Sequence, residues 1–286
     1  WLSRTLWIPG SLTMLSAWRR RPSIECKPMW FECRNLSKTY RTRNGMIRAL
    51  EEGTFCVGEH EFLCIVGPSG CGKTTLLKII AGLLQPSSGE ILFHDLEANG
   101  SLRSALVFQD HGLLPWRNVL DNTAFGLEMQ RVGKAERQAR ALAFLEKVGL
   151  GPFTRTYPHE LSMGMRQRVG IARAFVSNPQ ILLMDEPFGS LDSQTRQVLR
   201  EELLKVWKEN RKSVVYVTHD IEEAVVLGDR VLVMTGRPGR LRAVIPVPLD
   251  RPRDLAAGDQ PRIAEIKWKI WKMLEDEVRT SLRISS

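Results

Sequence analysis

Lys73 and Thr74 close a run of small residues, Gly67-Pro68-Ser69-Gly70-Cys71-Gly72-Lys73-Thr74-Thr75. Glycines at 67, 70 and 72 let the backbone curl so that several N–H groups converge on one anion, and a helix starting there adds partial positive charge. The Lys73 ammonium can then reach the β- and γ-phosphates of a nucleoside triphosphate, and the Thr74 hydroxyl can hold Mg²⁺. An acidic pair, Asp185-Glu186, follows the apolar run Ile181-Leu182-Leu183-Met184. An Asp at such a strand end helps hold the metal, directly or through water, and the Glu beside it can polarise a water for attack on the γ-phosphate. Gln109 follows the apolar run Ala105-Leu106-Val107-Phe108, where an uncharged amide could bind Mg²⁺ or the attacking water. His219 closes another apolar run, Val214-Val215-Tyr216-Val217-Thr218, and can exchange a proton near neutral pH.

These groups need a scaffold that brings strand ends together. The small-residue run lies between Phe62-Leu63-Cys64-Ile65-Val66, a buried strand, and Leu76-Leu77-Lys78-Ile79-Ile80-Ala81, a helix. After residue 180 the chain alternates: strand 181–184, helix Ser193–Asn210, strand Ser213–Thr218, helix Ile221–Leu227, strand Arg230–Met234. Continuous apolar strands between helices predict a parallel sheet covered on both faces, whose ligands sit beyond the C-terminal strand ends. Upstream, short strands at 31–36, 47–50, 53–57 and 90–93 predict an antiparallel sheet. Residues 116–160 read as helices, Val119–Gln130 and Lys134–Val148. Ser162 caps a third helix running to about Ser177, which Asn178-Pro179 stops. With Gly164 in its first turn, that helix start reads either as a second anion site or as an ordinary cap. Leu241–Val247 predicts a last strand and Pro261–Val278 a basic amphipathic helix.

The totals fit a soluble globular chain of 286 residues with 43% hydrophobic and 26% charged residues. The net charge of +9 permits an anionic partner. No nucleic-acid reader motif accompanies it, so nucleic acid is not an expected partner. No apolar run approaches the roughly 20 residues that cross a bilayer. The five cysteines, Cys26, Cys33, Cys56, Cys64 and Cys71, fit no zinc spacing and argue against a disulfide framework. Residues 1–28 place an apolar segment before Arg19-Arg20-Arg21, the reverse of a signal peptide. They read as a poorly ordered extension, with a membrane-surface tail as the alternative.

Leu161-Ser162-Met163-Gly164-Met165-Arg166-Gln167-Arg168 resembles the signature motif of ATP-binding cassette (ABC) ATPases. The order of phosphate loop, Gln109, signature, Asp185-Glu186, Ser190-Leu191-Asp192 and His219 is similar to that family's order over about residues 29–240. The resemblance implies an α/β fold of the ABC-type P-loop ATPase, with a mostly parallel core sheet, an N-terminal antiparallel β subdomain and a helical signature subdomain at about 112–165. Residues 241–286 would form a strand and helix packed on it. It also implies an ATPase with ATP and Mg²⁺ as cofactors, and roles for residues. Tyr40 would stack on adenine; Gly67 through Thr75 would hold the phosphates; Gln109 would sense Mg²⁺ and the transporter partner. Asp185 would support the metal, Glu186 would be the catalytic base, Asp192 would act across a dimer and His219 would contact the γ-phosphate. In such a family a second copy binds head to tail, so Ser162 and Gly164 would complete the other subunit's site.

Met163 departs from the family's usual glycine and adds a side chain where the partner's nucleotide approaches. Gly112 through Asn122, with Arg237-Pro238-Gly239-Arg240, is similar to nitrate, sulfonate and taurine importers. This resemblance implies a bacterial importer subunit on the cytoplasmic side of the inner membrane, docked on permease subunits and served indirectly by a solute-binding protein. A soluble or regulatory ABC ATPase not coupled to transport is the alternative. Cys71, inside the loop, is expected to react with alkylating reagents unless ATP protects it.

Overall fold

The computed structural model describes residues 29–43, 45–94, 103–110, 112–251, 253 and 260–284; the extension read at 1–28 and Cys26 lie outside them. Two long strands, β1 (Met29–Thr42) and β2 (Gly45–Gly58), form an antiparallel hairpin. With β4 (Ser88–Phe93) they make a three-stranded sheet in the order β2-β1-β4. The sequence pattern splits β2 into two short strands. The chain instead stays paired through the break, with Glu52 at φ 47° and shifts of register in the opposing strand absorbing the irregularity.

The second sheet holds β3 (Phe62–Val66), β5 (Ser104–Val107), β6 (Ile181–Asp185), β7 (Ser213–Thr218), β8 (Arg230–Met234) and β9 (Leu241–Pro246). Its order is β5-β6-β7-β3-β8-β9, parallel throughout except for β9, which returns antiparallel to β8. The fold is therefore α/β, with a mostly parallel core sheet beside a smaller antiparallel one. Side chains alternate along each parallel strand between two cores. Phe62, Cys64 and Val66 pack with Leu182, Met184, Val214 and Tyr216 on one face. Leu63 and Ile65 pack with Ile181, Leu183, Val215 and Val217 on the other. Burying each such side chain stabilises the fold by about 1.5–3 kcal/mol, so the pattern reads as continuously apolar.

The second of these faces is covered by α1 (Lys73–Ile80), through Leu76, Leu77, Ile79 and Ile80, and by the antiparallel sheet, through Phe31, Leu36 and Phe55. The first face carries α4 (Met163–Val176), α5 (Ser193–Asn210), α6 (Ile221–Leu227) and part of α7 (Gln260–Ile284), whose Ile263, Ile270 and Leu274 are buried. α2 (Val119–Met129) and α3 (Lys134–Lys147) pack against α4, with Phe144 stacked on Phe175 at 5.6 Å. Helix ends follow their caps: Asn118 accepts from Asp121 N–H, Ser162 from Met165, Asp192 from Thr195, and Asp220 from Glu222 and Glu223. Cys33, Cys64 and Cys71 are free thiols. Cys56 is buried and disulfide-bonded, which departs from the expectation against disulfides at that position. Among the described residues no helix is long and apolar enough to cross a membrane.

Candidate functional site

The parallel strands β5, β6, β7 and β3 stand side by side, and their C-terminal ends carry Gln109, Asp185-Glu186, His219 and the phosphate-loop run. The loop turns directly into α1. Its N-cap Gly72 has φ 94°, and a Cβ there would lie 2.6 Å from the Ala49 carbonyl oxygen, so both the turn and the packing require glycine. The sequence pattern starts this helix at Leu76; it starts at Lys73, placing Thr74 and Thr75 in the first turn. That turn has no acidic residue, leaving the positive end of the helix unopposed. Ser69, Gly70 and Thr74 are exposed, while Gly67 and Cys71 lie beneath them.

Several side chains converge at the base of this loop. Lys73 is buried, and its ammonium donates to the carbonyls of Gly67 at 2.9 Å and Pro68 at 3.2 Å. It lies 3.9 Å from one carboxylate oxygen of Glu186. The other oxygen of Glu186 accepts from His219 Nδ1 at 3.0 Å. Glu186 sits at φ 45°, immediately after β6, and its N–H donates to Val217 of β7. This left-handed step turns the side chain from the strand line toward its two partners. The Thr74 hydroxyl donates to Asp185 at 3.1 Å. Burial pushes the Asp185 carboxyl up; the Thr74 hydrogen bond opposes this, and the neighbouring Glu186 charge adds to it. The Tyr40 hydroxyl is 3.2 Å from that of Thr75, which brings an aromatic ring from β1 to the mouth of the loop.

Thus Tyr40, Lys73, Thr74, Thr75, Asp185, Glu186 and His219 are joined by direct contacts across segments far apart in the chain. Gln109 lies exposed just after β5, at the same edge of the sheet. Ser162, Gly164 and Asp192 form a separate group. Ser162 caps α4, Gly164 faces Thr195 at the start of α5, and Asp192 caps α5. The N–H of Thr195 holds the Asp192 carboxyl below its usual range. Met163 stands 41% exposed at the first position of α4, so its side chain projects outward from that helix start.

The expectation for Cys71 is corrected. Its thiol is 0% exposed, packed under Gly67 and Leu76, and burial pushes its pKa up. A neutral, enclosed thiol is a poor nucleophile. Alkylation of Cys71 in the folded chain should therefore be slow and equal with and without ATP, as followed by mass spectrometry. Fast labelling suppressed by ATP would show that the thiol reaches solvent.

The contacts of two further residues do not follow from the sequence. Glu223 is buried in α6 and accepts from the Thr218 hydroxyl, which itself accepts from Asp220 N–H, so the turn carrying His219 is fastened on both sides. Burial pushes the Glu223 carboxyl up, with the Thr218 hydrogen bond acting against it. Arg237, from the loop after β8, donates to the Gly70 carbonyl at 3.3 Å. The sequence marks Arg237 only through the importer-like Arg237-Pro238-Gly239-Arg240 run at a fifth strand end, not as a partner of the loop.

The donor set at Thr74 and Asp185 is hard oxygen, as Mg²⁺ prefers. Among the described residues no group of three or more His, Cys, Asp or Glu side chains could hold a metal.

Comparison with known proteins agrees over most of the chain. A family model described as ABC transporter matches residues 50–189. An uncharacterized ABC transporter ATP-binding protein of Methanocaldococcus jannaschii is 47% identical over 250 residues, 87% of this chain and 92% of that protein. A taurine import ATP-binding protein, TauB, of Rhizobium johnstonii is 48% identical over 236 residues, 80% of this chain and 89% of that protein. Among solved structures, the dimeric post-hydrolysis state of an ATP-binding cassette bound to ADP and Pi is similar with a TM-score of 0.67 at 34% identity. It covers 77% of this chain and 100% of that one.

Proposed function

Because the chain belongs to the ABC transporter family, as its ATP-binding, ATP-hydrolysing subunit, we propose that it powers a bacterial importer for taurine, a sulfonate, nitrate or a related small solute. The observation that carries the chemistry is the contact chain Lys73–Glu186–His219 beside Thr74–Asp185, at the mouth of the phosphate loop.

On this reading ATP lies with its β- and γ-phosphates in the loop, against Lys73 and the N–H groups at the start of α1, with Tyr40 beside the adenine. Glu186 accepts a proton from a water as that water attacks the γ-phosphorus. The bond to the β-phosphate oxygen breaks, giving ADP and inorganic phosphate. His219 holds the Glu186 carboxylate and lies where it can contact the γ-phosphate. Gln109 lies at the same edge, where its amide can meet the water or the metal. Mg²⁺, held by Thr74 and Asp185 with Gln109 nearby, would neutralise charge on the phosphates. Ser162, Gly164 and Asp192 stand apart from this cluster, which supports a head-to-tail dimer in which they finish the partner's site. The dimeric assembly of the similar cassette supports the same arrangement.

Support for an importer comes from the TauB relatives and from one surface loop. Asn122, itself buried, donates to the carbonyls of Leu114, Arg117 and Asn118 and accepts from Leu114 N–H. This fixes a loop on which Trp116 is 71% exposed. A rigid loop presenting an uncovered indole suits docking on permease subunits at the cytoplasmic face of the inner membrane.

The test is to isolate the chain with its permease in lipid vesicles that also contain the solute-binding protein. ATP hydrolysis should rise when taurine, a sulfonate or nitrate is placed on the same side of the membrane as the solute-binding protein. Hydrolysis by the chain without coupling to any permease would favour a soluble ATPase. No hydrolysis in the complex, restored by Met163→Gly, would favour a regulatory cassette.

A further inference from the structure

The loop between β8 and β9 has no part in the chemistry above, yet it is built against the back of the phosphate loop. Gly239 is buried there. Its N–H donates to the Ala49 carbonyl at 3.1 Å and its own carbonyl accepts from Glu51 N–H at 2.9 Å, making a parallel bridge to β2. A Cβ at Gly239 would overlap the Cys71 carbonyl oxygen. Backbone therefore rests directly on backbone. Arg237 reaches over the crest and donates to the Gly70 carbonyl. Arg240 closes the loop on Glu51 with two bonds of 2.9 and 2.8 Å.

The same loop is tied to the C-terminal helix. Glu277 of α7 accepts from Gly236 N–H at 3.1 Å. Nearer its start, α7 reaches the other side of the site: Lys267 pairs with Glu222 of α6, the helix that follows His219. Ile270 and Leu274 anchor the helix between these points, and Ile263 anchors it just before Lys267. One element thus holds the turn behind the phosphate loop and the helix behind His219.

We propose that the 236–240 loop is a positioning element for the phosphate loop, and that α7, through Glu277, holds it in place and so sets the affinity for a nucleoside triphosphate. The physical reason lies in the two sides of a peptide. When a loop turns its N–H groups toward an anion, its carbonyls turn outward, and each needs a partner of its own. Arg237 supplies a charged donor to one outward carbonyl. Gly239 fills the space behind the next peptide without displacing it. Glu277 fixes the start of the loop that carries both. Arg237 and Glu277 are positioning residues; neither meets the reacting atoms. The affinity part of this proposal rests on the nucleotide-site reading above.

The test uses the full chain with three substitutions, Arg237→Ala, Glu277→Ala and Glu277→Gln, each checked for its thermal unfolding midpoint. The first readout is hydrogen exchange of the 67–72 amides with no nucleotide added. The second is the division of ATPase kinetics between KM and kcat. Arg237→Ala and Glu277→Ala are expected to speed exchange in 67–72 but not in α4, and to raise KM for ATP about fivefold with kcat within twofold. Glu277→Gln keeps an oxygen for Gly236 N–H and should behave like the parent. Should Glu277→Ala unfold, Arg237→Ala, at an exposed position, still carries the test. Unchanged exchange and unchanged KM in Arg237→Ala would overturn the proposal. Faster exchange in a chain whose parent does not bind ATP would leave the brace standing and remove the nucleotide reading instead.

Discussion

Replacing Glu186 by Gln is expected to leave ATP binding intact and to cut turnover by about 10²–10⁴-fold. The amide matches the carboxylate in shape and keeps an oxygen for His219, whose Nδ1 lies 3.0 Å from the present carboxylate. What it loses is proton affinity, the property a general base uses. Its contact with Lys73 is long, 3.9 Å, and Lys73 keeps its two backbone acceptors, so the loop should not change shape. Equilibrium binding of ATP and single-turnover hydrolysis separate the two effects. Near-normal turnover would refute the assignment of Glu186 as base, and weak binding would mean the carboxylate is a structural strut for Lys73.

Lys73→Ala should give the opposite signature. Lys73 is only 6% exposed and is held by the Gly67 and Pro68 carbonyls, so its ammonium is pre-placed beneath the loop. A hydrogen bond to a charged group contributes about 1.5–3 kcal/mol, and its loss should weaken ATP binding by about 10–150-fold. Removing the cation lifts its desolvation cost but leaves the Gly67 and Pro68 carbonyls without their donor, so the unfolding midpoint should fall by a few degrees. Calorimetric titration with ATP checks the affinity, and a melt without nucleotide checks the fold. Binding within a factor of three of the parent would place the phosphates elsewhere.

Much of the fold is legible in the sequence where a local signal and a buried run coincide. Ser193–Asn210, Ser213–Thr218, Ile221–Leu227 and Arg230–Met234 have the observed bounds. Asp192 and Asp220 cap the two helices, and the strands are apolar on both faces. Legibility fails where the deciding partner is remote. Glu52 and Gly53 look like a break between strands, yet the opposing strand bridges them. The α7 helix extends to Ile284, beyond the expected Val278, since no Gly or Pro in the sequence marks its end. Among candidate site residues, each position at a strand end follows from an apolar run. The contacts do not. No local pattern shows that Glu186 turns left-handed to meet His219, that Cys71 is enclosed, or that Arg237 reaches Gly70 across 167 residues.

The position of β3 has a consequence for the order in which the chain is made. This strand, residues 62–66, pairs on one side with β7 and on the other with β8. Both partners emerge from the ribosome about 150 residues later, roughly 10–30 s at ordinary rates of synthesis. The β1–β2 hairpin can close at once, since its strands are adjacent. The strand that presents the phosphate loop cannot: until Thr218 is available it is an apolar segment with two unpaired edges, and until Met234 it keeps one. A nascent chain halted before β7 would therefore carry the whole Gly67–Thr75 run and be unable to hold a nucleotide with it. The loop that comes early in the sequence is among the last parts of the molecule to become competent.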